Sequence, residues 1–278
     1  MLPENVLIGV HSSVPANDQI SKGDTWLGSP PIKLPAREQT SGYPESLTYR
    51  PSPMRRLARG AIEAFRIIAP HAMVISVGYT IVFIVTPIAA AGRWREVVLY
   101  LTIAGLFYGV GAFLFTVALK WLCMGKYRKY SVAMWTPFVW LSEGVTNIYG
   151  SIAVPNFMRY LRGTPWLPVA LNLLGCRIGK GVYMDTTDVD EFDCVTIGDY
   201  SELNALVSSQ THLFEDRVMK IDQVSIGARV YMGPRSVALY GSVVSDNARL
   251  GPLTLVMKGE FIPAATSWRG CPAERATV

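Results

Sequence analysis

Apolar and polar positions along this chain follow three rhythms. Between Arg177 and Pro272 the beat is six. Steps of six from Ile226 reach Met232, Ala238, Val244, Leu250 and Val256, all apolar, and Gly227, Gly233, Ser245 and Gly251 follow four of them. The same beat opens at Ile178-Gly179, passes Met184 and resumes at Ile197-Gly198 and Leu203. An α-helix cannot use such a period, because successive apolar residues would point about 240° apart. A coil of three short faces can, with one aliphatic residue per face pointing inward. The pattern predicts a β-solenoid, a parallel β-helix of hexapeptide repeats, over residues 176–278. The beat slips by one residue between Met184 and Ile197 and breaks between Ser209 and Val224. A break of this kind is a loop pushed out of the wall, and such insertions often carry the binding face.

The second rhythm is an absence of charge. Ala72–Ala91 and Val97–Leu119 are uncharged runs of 20 and 23 residues, separated by Arg93, Arg95 and Glu96. Each is long enough to cross a bilayer. They predict a two-helix transmembrane hairpin within 57–130, with spans at about 72–91 and 97–119. Arg55, Arg56, Arg59 and Arg66 precede the pair and Lys120, Lys126, Arg128 and Lys129 follow it. The positive-inside rule then puts both soluble ends in the cytoplasm, at the cell (inner) membrane. Gly105, Gly109 and Gly111 would permit close helix packing in the second span, and His71 would sit at the membrane edge. The third rhythm, over 131–175, is apolar and aromatic but interrupted by Arg159, Arg162, Pro155, Pro165 and Pro168. It predicts amphipathic helices that lie in the membrane interface or cap the open end of the solenoid.

Residues 1–40 read as the end of a solenoid. Thr25-Trp26-Leu27-Gly28-Ser29-Pro30 and Ser267-Trp268-Arg269-Gly270-Cys271-Pro272 share the pattern [ST]-W-x-G-[SC]-P, roughly 240 residues apart. The expectation is the terminal coil of a preceding, truncated β-helix, followed by a Pro- and Ser-containing linker over 41–56. A lone coil cannot bury its apolar face. Its neighbours are expected either in a longer protein or in another polypeptide.

Composition sharpens this reading. Half the residues are hydrophobic and the net charge is +5. Basic residues flank the apolar middle, so the charge points to a membrane and not to nucleic acid. Cys123, Cys176, Cys194 and Cys271 form no CxxC pair or metal-ligand spacing, which suits reduced thiols. The N-terminus has neither a basic n-region nor an apolar h-region, so no cleavable signal peptide is expected. Walker A, GxGxxG and GxSxG motifs are absent, which leaves NTP hydrolysis, hydride transfer and serine-hydrolase chemistry unsupported.

Candidate chemistry falls at the break. His212 is the sole histidine of the solenoid region and sits in Ser209–Lys220 among Glu215, Asp216, Arg217 and Lys220. An imidazole can take a proton at neutral pH from an amine or hydroxyl attacking a thioester. Glu215 or Asp216 would orient it or bind a cationic acceptor. A second acidic cluster, Asp185, Asp188, Asp190, Glu191 and Asp193, suggests a cation site for a substrate ammonium. It lacks the EF-hand pattern, and no metal is expected.

Ile178-Gly179, Met184-Asp185-Thr186-Thr187-Asp188, Glu191-Phe192-Asp193, Ile197-Gly198-Asp199, Leu203-Asn204 and above all Gln210-Thr211-His212-Leu213-Phe214-Glu215-Asp216-Arg217 carry a resemblance. With Leu250-Gly251-Pro252 and Val256-Met257-Lys258-Gly259, these runs resemble the C-terminal membrane domain of nonribosomal-peptide-synthetase-like proteins of the ε-poly-lysine synthetase type. The resemblance implies left-handed β-helix domains in tandem with pairs of membrane spans, related to hexapeptide acyltransferases. It implies amide-bond formation from an amino acid held as a carrier-protein thioester, with His212 as the base. Asp188, Glu191, Asn204, Glu215, Asp216 and Arg217 would contact substrate. No cofactor is expected to bind directly. The expected partners are a carrier and adenylation protein, the membrane and other β-helix copies. The alternatives are an acyl-CoA-dependent acetyltransferase and a non-catalytic membrane scaffold.

Overall fold

The computed structural model describes residues 2–4, 6–9, 12–28, 30–34 and 42–276. From Arg177 onward the chain winds through three parallel sheets. One wall stacks Arg177–Ile178, Val195–Ile197, Val224–Ile226, Val243–Val244 and Phe261–Ile262. The second stacks Tyr183–Met184, Glu202–Leu203, Tyr231–Met232, Arg249–Leu250 and Ser267–Arg269. The third holds Ser208–Gln210, Val237–Leu239 and Leu255–Val256. Pairing advances eighteen positions per turn: Tyr231 lies beside Arg249, and Arg249 beside Ser267. Three walls of six residues therefore make one coil. All six in-phase apolar residues from Ile226 to Val256 are at most 2% exposed.

The corners repeat with the same period. Arg229, Arg235, Asn247, Leu253 and Ala265 have φ between 54° and 59°, and Gly241 and Gly259 fill the two intervening corners with φ of 77° and 69°. A left-handed residue turns the chain at every sixth position. The glycines that follow the inward residues have a different job. A Cβ on Gly198 would lie 2.5 Å from Ala228 N, and one on Gly233 would lie 2.7 Å from Gly251 C. These glycines let successive coils stack closely; the turning is done two residues later.

The N-terminal segment is a small version of the C-terminal end. Leu7–Ile8 pairs in parallel with Thr25–Leu27, again eighteen positions on, and Thr25–Leu27 pairs antiparallel with Ile32–Leu34. Trp26 lies opposite Lys33 and Leu27 opposite Ile32. At the far end, 242 positions later, Trp268 lies opposite Arg275 and Arg269 opposite Glu274. Gly28 and Gly270 both have φ near 100°, and a Cβ on Gly28 would lie 2.7 Å from Cys271 O, so the two ends touch. Ser29 of the shared motif and residues 35–41, at the entry to the expected linker, lie outside the described residues.

Two long helices precede the stack. Helix α1 (Pro53–Ala90) starts at Ser52, whose hydroxyl accepts the Arg55 N–H, with Pro53 in the first turn. It begins well before the uncharged run because its first turns make polar contacts. Arg59 and Arg66 pair with Glu63 and with Glu143 of α3 (Pro137–Ile148). Helix α2 (Trp94–Cys123) returns alongside. Both are long and apolar enough to cross a membrane, and Phe65, Ile75, Phe83, Leu106 and Phe107 are more than 60% exposed. Of the three glycines in α2, Gly109 alone makes a close approach. A Cβ there would meet Asn156 O at 2.6 Å, while nothing lies within 4 Å at Gly105 or Gly111. The contact is with the short α4 (Val154–Asn156), not with α1.

Helix α3 runs into a π-helical turn (Tyr149–Ala153), α4 and then α5 (Trp166–Leu174). Leu167, Leu171 and Leu174 join Tyr149 and Phe113 in one core with Ile178, Met184 and the inner residues of the coils as far as Ile262. This segment therefore covers the first coil. Its beginning is not helical. Tyr130–Ala133 is a strand, because its backbone completes the sheet of the inserted hairpin: Ala133 lies opposite Val218 and Tyr130 opposite Ile221.

Candidate functional site

The break in the beat is an ordered β-hairpin. Strands His212–Glu215 and Val218–Ile221 pair antiparallel, with Asp216 and Arg217 at the turn, both at positive φ. One face is sealed by Met219 and Ile221 against Tyr127, Val132, Val139 and Trp140. The side is latched by Glu215, whose carboxylate meets Lys220 at 2.8 Å and Lys258, on a coil corner, at 2.6 Å. Burial works against the Glu215 charge, but these two lysines outweigh it and lower its pKa. Glu215, expected with Asp216 to orient the imidazole or bind a cationic acceptor, pairs here with the two lysines and so ties the hairpin to the stack.

The residue that holds the imidazole is Glu191. His212 Nδ1 lies 2.7 Å from Glu191 Oε2, and the Glu191 side chain is 1% exposed against 21% for His212. Thr211 Oγ1 donates to the same oxygen at 2.6 Å, and its backbone-carbonyl contact to Asp190 is 3.0 Å. An ionised carboxylate only accepts, so in this contact Nδ1 carries the hydrogen and Nε2 is the basic nitrogen. Burial alone would lower the His212 pKa. The hydrogen bond and charge of Glu191, with Asp190 and Glu143 further off, overcome that and raise it above 6.5. Phe214 stands edge-on to the ring at 5.6 Å. Glu191 itself adopts φ 32°, a left-handed conformation that costs a non-glycine residue on the order of 1–2 kcal/mol.

The remaining predicted residues are scattered. Asp188 lines a cavity of about 250 Å³ beside the stack, with Asp185, Asp190, Tyr149, Arg162 and Leu206. Arg162 pairs with Asp185 at 2.9 Å. Asp190 has its pKa raised to about 6 by burial first, then by Glu191 and Asp188. Asn204 is occupied on the second wall, where its amide donates to Met232 O at 3.0 Å and Glu202 Oε1 at 3.2 Å. Arg217 stacks over Tyr49 at the hairpin tip. Cys176 and Cys194 are buried thiols whose pKa values rise through desolvation first, that of Cys194 to about 12, so neither is a ready nucleophile.

Glu191 is nearly inaccessible, and its carboxylate is turned toward His212 and Thr211. Val189 bridges to Ser209 one coil later, so the acidic cluster and the histidine loop are vertical neighbours.

No protein-family model matches the chain. The chain is 55% identical over 273 residues to delta-poly-L-ornithine synthetase of Acinetobacter baumannii (strain AB307-0294), covering 98% of this chain and 20% of that protein. The chain thus spans about a fifth of the length of the curated relative it matches. The resemblance to poly-amino-acid synthetases read from the sequence is thereby upheld. Among solved structures, a galactoside acetyltransferase in complex with coenzyme A is 15% identical, covering 43% of this chain and 76% of that one, with a TM-score of 0.35. A hexapeptide-repeat acetyltransferase from Vibrio cholerae is 12% identical over 40% of this chain and 78% of that one, with a TM-score of 0.33.

Proposed function

We propose that this chain is a membrane-anchored acyl- or aminoacyl-transfer domain of a poly-amino-acid synthetase system. Its stack is read as a left-handed β-helix. Helices α1 and α2 are read as a transmembrane hairpin with both soluble ends in the cytoplasm. The donor is an amino acid carried as a phosphopantetheinyl thioester by a separate carrier and adenylation unit. The acceptor is an amine.

The observation that carries this reading is the His212–Glu191 pair, with Nδ1 fixed by a buried carboxylate and the basic nitrogen without a hydrogen-bond partner among the described residues. The acceptor amine forms the new C–N bond at the thioester carbonyl carbon. His212 Nε2 takes the proton this amine sheds, the C–S bond breaks, and the imidazolium returns the proton to the leaving thiolate. Glu191 stabilises the imidazolium between these two transfers. The cavity edged by Asp188 and Asp190 suits the second ammonium group of a diamino acid such as ornithine, because Asp190 stands within electrostatic reach of His212.

The test is His212→Ala, assayed with a carrier-bound L-ornithinyl thioester and L-ornithine. Amide formation is expected to fall by about 100-fold or more, as for loss of a general base. Unchanged turnover would remove the mechanism. Equal use of an ornithinyl-CoA donor by the unaltered chain would replace the carrier with coenzyme A. Stable membrane assembly with no transfer to any amine would leave a scaffold.

A further inference from the structure

We infer that Lys120 of α2, Tyr127 in the loop that follows it and Ser142 of α3 form a positioning platform for the Glu191–His212 pair. The inference rests on the reading of His212 as a base, and it deepens that reading by assigning what aligns the base.

The platform acts on one short turn. Glu191 caps the 3-10 turn Phe192–Cys194, and the two carboxylates of this stretch, Glu191 and Asp193, are both buried. Asp193 Oδ2 receives Lys120 Nζ at 2.6 Å and the Tyr127 backbone N–H at 3.0 Å. The Tyr127 hydroxyl lies 3.1 Å from Ser142 Oγ, which contacts Glu191 Oε1 at 3.5 Å. One residue, Tyr127, therefore reaches both carboxylates, one through its backbone and the other through its side chain and Ser142. The Lys120 side chain is fully buried, and its Nζ lies 3.4 Å from the centroid of the Trp121 ring. Gly175, which ends α5 at φ 119°, leaves the room: a Cβ there would lie 2.6 Å from Asp193 Oδ1 and 3.0 Å from Lys120 Nζ.

The physical argument is one of specificity. A buried ion pair is often no more stabilising than a well-packed apolar pair, since both charges must be stripped of water. What the pair does supply is a unique geometry, because an apolar replacement would let the turn settle in several positions. Glu191 needs such a restraint, since its left-handed backbone persists only where its surroundings over-determine it. The β-stack supplies Thr211 and the hairpin that carries His212. The other fixed points of the carboxylates come from α2, the Tyr127 region and α3. The alignment of the imidazole is thus set jointly by the stack and by the helical module.

The test reads the imidazole directly, with the full chain in detergent micelles. His212 carbethoxylation by diethyl pyrocarbonate is followed against pH by peptide mass spectrometry, which separates it from His11 and His71. The charged groups facing His212 are Glu191, Asp190 and, on α3, Glu143. The double variant Lys120→Met/Asp193→Asn removes a cancelling pair of charges, so the field at His212 changes little and any shift reports geometry. We expect the midpoint to fall toward the ordinary value of about 6.5 and the neutral imidazole, less basic once its hydrogen bond to Glu191 is misaligned, to react several-fold more slowly. Tyr127→Phe removes one oxygen and should move both quantities the same way by less. An unaltered profile in both variants, with the protein folded, overturns the platform. If the double variant does not fold, Tyr127→Phe decides alone. The reading of His212 as a base is judged separately by the activity of His212→Ala, so either idea can fail without the other.

Discussion

The coils from Val224 to Ile262 and the coil interrupted between Asp185 and Ile221 use the same six-residue beat, yet only the second buries carboxylates. In the first region the in-phase positions are aliphatic or Met, the buried polar residues are the hydroxyl-bearing Ser236, Ser242 and Thr254, and the corners turn at every sixth residue. In the second, Thr186, Glu191, Asp193, Ser209 and Thr211 are buried, each with a hydrogen-bond partner. A regular rung is interchangeable with its neighbours, since apolar burial has no direction. A buried carboxylate is not, because it depends on particular donors. The difference teaches where to look for function: local rules are broken at sites and kept in scaffolds.

The comparison breaks most visibly in the rungs. Met232→Ala should cost about 2–5 kcal/mol of stability, as for other large-to-small core changes, while leaving the His212 titration where it is. Chemical denaturation checks the first and NMR the second. A loss of site chemistry without a loss of stability would contradict the division. Next comes Glu191→Gln, which keeps the shape and removes the charge. Turnover should fall by about 10- to 100-fold, and the acidic limb of the pH–rate profile should move down. The stability effect has a definite sign. The His212 pKa is raised in the folded chain, so its contribution is fully present below about 6.5 and fades as pH rises through the folded value. In Glu191→Gln that pH dependence of unfolding should flatten.

Two smaller effects sharpen the contrast. Met232→Leu preserves volume and should cost under about 1.5 kcal/mol, measured by the denaturation midpoint. Lys258→Met removes one part-exposed partner of Glu215. It should cost under about 1 kcal/mol and loosen the hairpin, seen as faster amide exchange over His212–Glu215.

How much of this was legible follows from the same contrast. The rungs were readable because periodic burial leaves a periodic trace in sequence, and Ile226 to Val256 fell in phase. The uncharged runs within α1 and α2 were equally plain. Tyr130–Ala133 was not readable as a strand, since its partners lie 85 to 91 residues away in the hairpin. The left-handed corners at Arg229 and Arg235 were hidden because their residue types do not announce positive φ. The site was half legible. His212 stood out through its place at the break and Glu191 through its acidic neighbours. Their contact depended on the stacking of Val189 against Ser209, and a slip in the beat obscured that register. Glu215 attracted attention by proximity in sequence, whereas Lys258, one of the groups it meets, arrives from another coil.

The central claim is that a buried carboxylate fixes and charges the imidazole of the inserted hairpin. An NMR titration of 15N-histidine-labelled chain, in the unaltered protein and in Glu191→Gln, measures this without any assumption about substrate. His212 is expected to titrate above the ordinary value of about 6.5 in the unaltered chain, with its hydrogen on Nδ1, and at or below that value in the variant. Identical titration curves in the two proteins would contradict the claim.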